Sequence, residues 1–410
     1  MAPSPSRRVT CCIAGCGPAG AMLGFLLARA GVKVLVLEKH GDFLRDFRGD
    51  TIHPSTLEVI DELGLIGDFL SLPHRKVSEL NVVLDQGSFR LTDFSRLRRR
   101  HPYLVFMPQW DFLDFLTGRA RELSGFELQM NADVLERLEE DGRVAGVRFR
   151  CGDGDVEEVR AELTVAADGR GSVLRRAAGL PPRSFGAPMD VLWFRISRRD
   201  SDPENGLGRL TAGRILAFID RGDYWQIACV IPKGSAERER ERGIEAFRAS
   251  LARLAPFLAD RVDELSSWDD LRLLTVQVDR LARWHRPGLL CIGDAAHAMS
   301  PIGGVGINLA VQDAVAAANL LARPLREGTL GESDLARVQR RRTPPTIATQ
   351  SLQRTIQRRI VARALAGRAP SRPPRVVRLL ARFPALQVIP ARLIGVGFRP
   401  EHVRTESVAP

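Results

Sequence analysis

Apolar positions fall into blocks along the chain, and their spacing changes from block to block. Residues 8–14 form a short β-rich run and residues 15–20 a glycine-rich turn. Residues 18–30 carry the 3.6-residue apolar spacing of a helix, closed by Gly31. Residues 33–37 read KVLVL, apolar on both faces, as in a parallel strand covered on both sides. Further helices are predicted over 54–63, ended by Gly64, and over 110–123. Residues 81–91 alternate weakly, like a strand pair turning near Gln86 and Gly87. Strands follow around 127–130 and 144–150.

The texture shifts between residues 181 and 279. Strands are predicted over 191–196, 215–219, 225–231 and 273–278, with one helix near 244–258. Residues 288–293 return to the buried-strand pattern, and 306–321 form a strong helix. This order describes an α/β fold: two halves of a Rossmann-like nucleotide domain with a largely antiparallel sheet domain inserted. Beyond Arg337 the chain is helical and basic, interrupted by Pro370, Pro373, Pro374, Pro384 and Pro390. No internal repeat is visible.

Charge sharpens this picture. The 410 residues carry 60 bases and 49 acids, a net +11. Sixteen arginines and a single acid, Glu401, lie between Arg337 and Arg404, so the remainder is close to neutral. At 44% hydrophobic and 27% charged the chain supports a sizeable core, which excludes disordered and collagen-like classes. No apolar run is read as a membrane span and no leader precedes the glycine turn, so a soluble protein is expected. Cys11, Cys12, Cys16, Cys151, Cys229 and Cys291 show no metal-ligand spacing. They read as free thiols in a reducing, cytoplasmic setting.

Three motifs carry the chemistry. Gly15-Cys16-Gly17-Pro18-Ala19-Gly20 is G-x-G-x-x-G between a strand and a helix. One glycine permits the turn, one lets the backbone approach a pyrophosphate, and one lets helix and strand pack closely. Glu38 ends the next strand 21 residues after Gly17, placed to accept from a ribose hydroxyl. An acid there suits FAD or NAD rather than NADP. Asp168-Gly169 ends a second apolar strand and opens a basic helix. Gly293-Asp294 ends a third, continuing through Pro301, Gly303, Gly304, Gly306, Ile307 and Asn308 into a helix.

With these motifs in this order, residues 9–321 resemble the class A flavoprotein monooxygenases, the single-component aromatic hydroxylases typified by para-hydroxybenzoate hydroxylase. The resemblance implies a FAD-binding domain over 1–76, 103–180 and 280–336. It assigns a substrate-binding sheet domain to 77–102 and 181–279, and a basic helical segment to 337–410. Gly15, Gly17, Ala19, Gly20, Glu38, Lys39, Arg48, Gln109, Val134, Asp168, Asp294, Gly304, Gly306, Ile307 and Asn308 are then expected to bind FAD. Asp294 would accept from a ribityl hydroxyl, and the amides of Gly306 to Asn308 would stabilise the anionic reduced ring. Arg48, near the pyrophosphate, and Pro301, beside the oxygen-reacting flavin edge, would serve catalysis. Asp168 would be tied to FAD and to the nicotinamide nucleotide; as a bare sequence feature it is also a turn and helix cap. His297 is read as structural, and no metal site is expected.

The implied activity uses FAD, NADPH or NADH, and dioxygen. A flavin C4a-hydroperoxide would hydroxylate, or oxidise in Baeyer–Villiger fashion, an aromatic, polyketide or quinone-like small molecule. Phe218 and Trp225 are the expected substrate contacts, from a set that also holds Trp193, Phe194 and Tyr224. Alternation allows only one of Trp193 and Phe194 to face the pocket. Tyr224-Trp225 lacks the double-tryptophan signature of the halogenases in the superfamily. Two other classes fit the same fold: a flavin-dependent oxidase or reductase, and a flavoprotein that shields a reactive metabolite without turnover. The basic segment carries Leu352, Ile356, Ile360 and Ala364 at helical spacing. Packing on the FAD domain is the favoured role, with membrane-surface contact as the alternative. No nucleic-acid recognition motif accompanies the charge. A monomer or homodimer is expected.

Overall fold

Residues 7–44, 51–84, 87–203, 207–211, 213–368 and 373–408 are described in this computed structural model. The first strand, β1 (Arg7–Ala14), leads through the glycine turn into helix α1 (Pro18–Arg29) and then β2 (Val34–Leu37). The central sheet runs His285–Arg286, Leu289–Cys291, Val156–Ala166, β1, β2, Phe126–Gln129. The last five of these are parallel, so their carboxyl ends share one edge. An antiparallel ribbon of Ala132–Glu140 and Arg143–Cys151 pairs with Val156–Ala166. Helices are expected to cover such a sheet on its faces. Here α1 and the long helix Gly306–Glu327 pack on one face, and Cys11, Met22, Leu26, Val165, Val311 and Ala314 share its core.

The helical stretch Ile302–Glu327 corrects the expectation about apolar runs, being long and apolar enough by composition to cross a membrane. In this fold 78% of its most apolar 18 residues are buried inside the protein, where the helix packs against α1.

The second sheet has seven strands, in the order Arg272–Leu274, Met189–Ser197, Tyr224–Pro232, Arg214–Asp220, Leu207–Thr211, Glu79–Leu84, Gly87–Asp93. All neighbours are antiparallel except Leu207–Thr211 and Glu79–Leu84. That pairing joins the 181–279 region to residues near 80, across more than a hundred residues of sequence. The strand predicted over 273–278 is shorter, because the amide of Val276 turns to Asp190 Oδ1 (2.9 Å) instead of a neighbouring strand. The helix predicted to 258 ends at Leu254. Pro256 disfavours helical backbone at Ala255 and starts a separate turn.

Helix Glu332–Ile356 runs across the expected boundary at residue 337 and continues through a widened turn (Gln357–Val361) to Leu365. The turn near Gln86 and part of the proline-interrupted stretch around Pro370 lie outside the described residues. Pro374 caps helix Arg375–Arg382, and Pro390 lies within Val388–Gly395. These two helices cover the edge strand Gly87–Asp93, which closes a sheet edge that would otherwise offer free hydrogen-bonding groups. The chain end returns to the first domain, where the Val408 amide donates to the Arg29 carbonyl (3.1 Å).

Candidate functional site

Because β1, Val156–Ala166 and Leu289–Cys291 are adjacent and parallel, the three motif turns that follow them lie side by side. The Ala167 amide donates to the Ala14 carbonyl (2.8 Å) and that of Ile292 to the Ala166 carbonyl (3.0 Å). The approach is as close as backbone permits. A Cβ at Gly15 would stand 2.6 Å from the Ala167 carbonyl oxygen, and one at Gly20 2.0 Å from that of Gly15. Ala19 faces the third turn, since a Cβ at Gly293 would sit 3.0 Å from the Ala19 Cβ. Ligands of open α/β sheets bind outside the carboxyl ends of the strands, where these turns lie.

Several features of this edge fit a bound dinucleotide. A Cβ at Gly17 would meet nothing within 4 Å, which leaves the turn backbone open to a pyrophosphate. Helix α1 begins with no side-chain cap and no acid in its first turn, and so does helix Gly306–Glu327. Their first N–H groups and positive dipole ends therefore suit an anion. Glu38 accepts from the Cys16 amide (2.9 Å) and from His40 Nδ1 (2.7 Å), which fixes its carboxylate against the glycine turn. Asp168 accepts at Oδ2 from the Val173 amide (2.9 Å), while its buried Oδ1 has no protein partner. Burial pushes the Asp168 carboxyl above the usual carboxylate range. Arg170 pairs with Asp294 at 3.4 Å, linking the second and third turns. Together these residues have the shape and donor set for FAD.

The segment after Asp294 is held from two sides. Asn308 accepts at Oδ1 from the His53 amide (2.9 Å) and the Thr56 hydroxyl (2.6 Å), and its Nδ2 donates to the Thr51 carbonyl (3.2 Å). Gly304 lies against Thr51, where a Cβ would be 2.9 Å from the hydroxyl, with φ of +63°. On the other side three glutamines of the basic helix grip the residues around Pro301. Gln350 donates to the Ala298 carbonyl (3.1 Å). Gln353 accepts from the Ser300 amide (3.2 Å) and donates to the Ile302 carbonyl (2.8 Å), and Gln357 donates to the Ser300 hydroxyl (3.0 Å). These glutamines were missed in the sequence. Their spacing of three and four residues, on a helix otherwise read through its arginines, was the available signal.

Ile307 is buried in the first turn of its helix, next to Gly306. Gln109 opens helix Gln109–Arg121, directly after a strand that pairs with Thr51–Ile52. Val134 is buried in the same apolar cluster as Leu35 and Leu37, near Glu38, and Lys39 is exposed. Arg48 lies outside the described residues. His297 has the structural place expected of it. Its Nε2 lies 2.6 Å from buried Asp313, which also accepts from the Gly293 amide (3.1 Å) and from Arg342 Nε (2.8 Å). Burial opposes ionisation of Asp313, but His297 and Arg342 outweigh it and hold the carboxyl below its ordinary value.

The expected substrate contacts need correction. Phe218 and Trp225 are buried in the core between the second sheet and helix Ile244–Leu254, and both meet the Phe257 ring in tilted or edge-on contact. Trp225 Nε1 donates to Asp202 (2.8 Å), completing its polar contacts there. The opposite sheet face carries Trp193, Ala217, Ala228 and Val230, and it packs toward Ile302, next to Pro301. Trp193 therefore takes the outward place that alternation allowed to one of the pair, and Phe194 takes the core. Its buried Nε1 has no protein partner.

A Rossmann-type sheet with three converging motif turns, joined to a second sheet that faces the third turn, defines a flavoprotein monooxygenase of the class A type. The family described as FAD binding domain matches residues 8–355, and the chain belongs to it. It is 33% identical to 6-methylpretetramide 4-monooxygenase of Streptomyces rimosus, over 98% of this chain and 96% of that protein. The 12-dehydrotetracycline 5-monooxygenase/anhydrotetracycline 6-monooxygenase of the same species is 30% identical over 74% of this chain, which spans 60% of that longer protein. Among solved structures, OxyS anhydrotetracycline hydroxylase from Streptomyces rimosus superposes with a TM-score of 0.75 at 26% identity. That match covers 95% of this chain and 76% of the other. The chain is an FAD-dependent monooxygenase, and these relatives favour oxygenation over the oxidase or reductase alternative.

Proposed function

We propose that the enzyme hydroxylates an aromatic, polyketide-like small molecule in the cytoplasm, with NADH or NADPH as reductant and dioxygen as oxygen source. The observation that carries this is the near end-to-end similarity to 6-methylpretetramide 4-monooxygenase. Bound FAD would accept two electrons from the nicotinamide and activate dioxygen, so that one oxygen atom enters the product and the other leaves as water.

The chain's own residues bind and orient. Gly15, Gly17 and Gly20 would admit the pyrophosphate, Glu38 and Asp294 would accept from sugar and ribityl hydroxyls, and Asp168 Oδ1 would find its partner there. Amides at Gly306, Ile307 and Asn308 would hold the anionic edge of the ring. Gln353 and Gln357 would keep Pro301 at a fixed height beside it. The face with Trp193, Ala217 and Val230 would wall the aromatic substrate and exclude water, and the Trp193 N–H is available to a substrate oxygen.

The reductant has a candidate seat on Phe185. Arg183 and Arg280 face each other across a strand pair, an arrangement that like charges normally disfavour. Arg354 joins them over the same ring, with centroid distances of 5.6, 5.2 and 4.7 Å for Arg183, Arg280 and Arg354. Among the described residues no carboxylate pairs with any of the three. Burial first, then Arg183 and Arg354, holds the Arg280 guanidinium below its ordinary pKa. Phosphates of the nicotinamide nucleotide would supply the missing charge.

Turnover with labelled dioxygen on a panel of aromatic polyketides tests this function. One labelled oxygen per product is expected, and label arriving from water instead contradicts it. Arg280→Ala is expected to raise the KM for NAD(P)H at least tenfold with flavin content unchanged.

A further inference from the structure

We propose that the face built by helix Arg375–Arg382 and the turn after it docks on an anionic lipid bilayer. This goes beyond the catalytic function and does not depend on it. The helix carries two parallel exposed stripes beside one buried anchor. Val377 is buried and holds the helix on the protein. Val376, Leu379 and Phe383, spaced i, i+3 and i+7, are 57%, 47% and 53% exposed, and Ile389 nearby is 54% exposed. Arg375, Arg378 and Arg382 repeat the same spacing one residue earlier and are all exposed. At 100° per residue the arginine stripe borders the exposed apolar one.

Large apolar side chains held in water beside arginines are the composition of helices that lie in a membrane interface. A contiguous exposed apolar patch on a folded protein usually marks a contact surface. The charge selects the occupant. No acid occurs between Asp334 and Glu401, and none of Arg375, Arg378 and Arg382 pairs with a carboxylate among the described residues. A second copy docking through this face about a twofold axis would bring both arginine stripes into one interface. The exposed apolar side chains Val376, Leu379 and Phe383 lie along one helix and its last turn. The anionic headgroups of a bilayer attract each basic residue near the surface.

Co-sedimentation of the flavin-loaded full chain with phosphatidylglycerol-containing vesicles and with pure phosphatidylcholine vesicles tests the proposal. Binding to the anionic vesicles alone, weakened by salt, is expected. The triple variant Arg375→Gln, Arg378→Gln, Arg382→Gln should bind about a hundredfold more weakly, from roughly fivefold per arginine. Leu379→Ser with Phe383→Ser should also weaken binding, while flavin absorbance and the thermal midpoint stay unchanged. No vesicle binding, equal binding to neutral vesicles, or binding untouched by both variants overturns the proposal. So does a solution dimer that the serine variant dissociates.

Discussion

At Gly20 the conflict is between one methyl group and one backbone oxygen. A Cβ there would lie 2.0 Å from the Gly15 carbonyl oxygen, a distance no side-chain rotation can relieve. Gly20→Ala is therefore expected to purify without flavin, read as loss of visible absorbance relative to protein. His53 makes a different kind of prediction. It is fully buried, its Nδ1 lies 2.7 Å from the Ile394 carbonyl, and burial pushes its pKa down to about 4 from 6.5. The unfolded chain takes up this proton near pH 6.5 and the folded chain only near pH 4. Stability present above pH 6.5 is thus lost as pH falls, by roughly 3 kcal/mol in total. His53→Gln should flatten thermal midpoints across that range, and an unchanged slope would count against this assignment. The glycines and Glu38 were legible in the sequence because each sits at a fixed offset from a strand end. His53 was not, because its burial comes from Ile394 and Asn308, more than 250 residues away.

At the scale of elements, strand alternation determines which aromatic does which job. Phe218→Ala removes a ring from the core against Phe257 and should cost about 3–5 kcal/mol of stability with little change in substrate KM. Trp193→Ala should do the reverse, raising substrate KM while the denaturation midpoint moves little. Chemical denaturation and steady-state kinetics on both variants check the pair, and the opposite assignment would return the sheet to the orientation first expected. Strands such as Tyr224–Pro232 were readable from their own composition. Which face looks toward Pro301 was not, since both faces are apolar and the choice rests on helix Ile244–Leu254 packing against one of them. The glutamine stripe is similar: its spacing is local, but its partners at Ala298 to Ile302 are brought to it by tertiary structure alone.

Across the whole molecule, the chain end is tied to the third motif turn by buried charge. Arg342 bridges Asp313 and Glu401, all three almost fully buried, and Arg341 adds two contacts to Glu401 (2.7 and 2.9 Å). Breaking such a network leaves an uncompensated charge inside the protein. Arg342→Met is expected to cost about 3–5 kcal/mol and to weaken flavin retention, because Asp313 also holds the Gly293 amide. Equilibrium unfolding with flavin release as a second readout measures both. The large-scale plan, a nucleotide sheet interrupted by a second sheet, was legible because buried-strand texture stops near residue 180 and resumes near 288. The network was not, since Glu401 lies in a stretch whose composition announces only positive charge.

One site is assembled from turns distant in sequence, so titration of the flavin-free protein with FAD tests it most directly. One FAD per chain is predicted, bound tightly by the native protein and lost together in the Gly20→Ala and Asp294→Ala variants. Native protein that takes up no FAD, or both variants binding it as well as the native chain, would contradict the account.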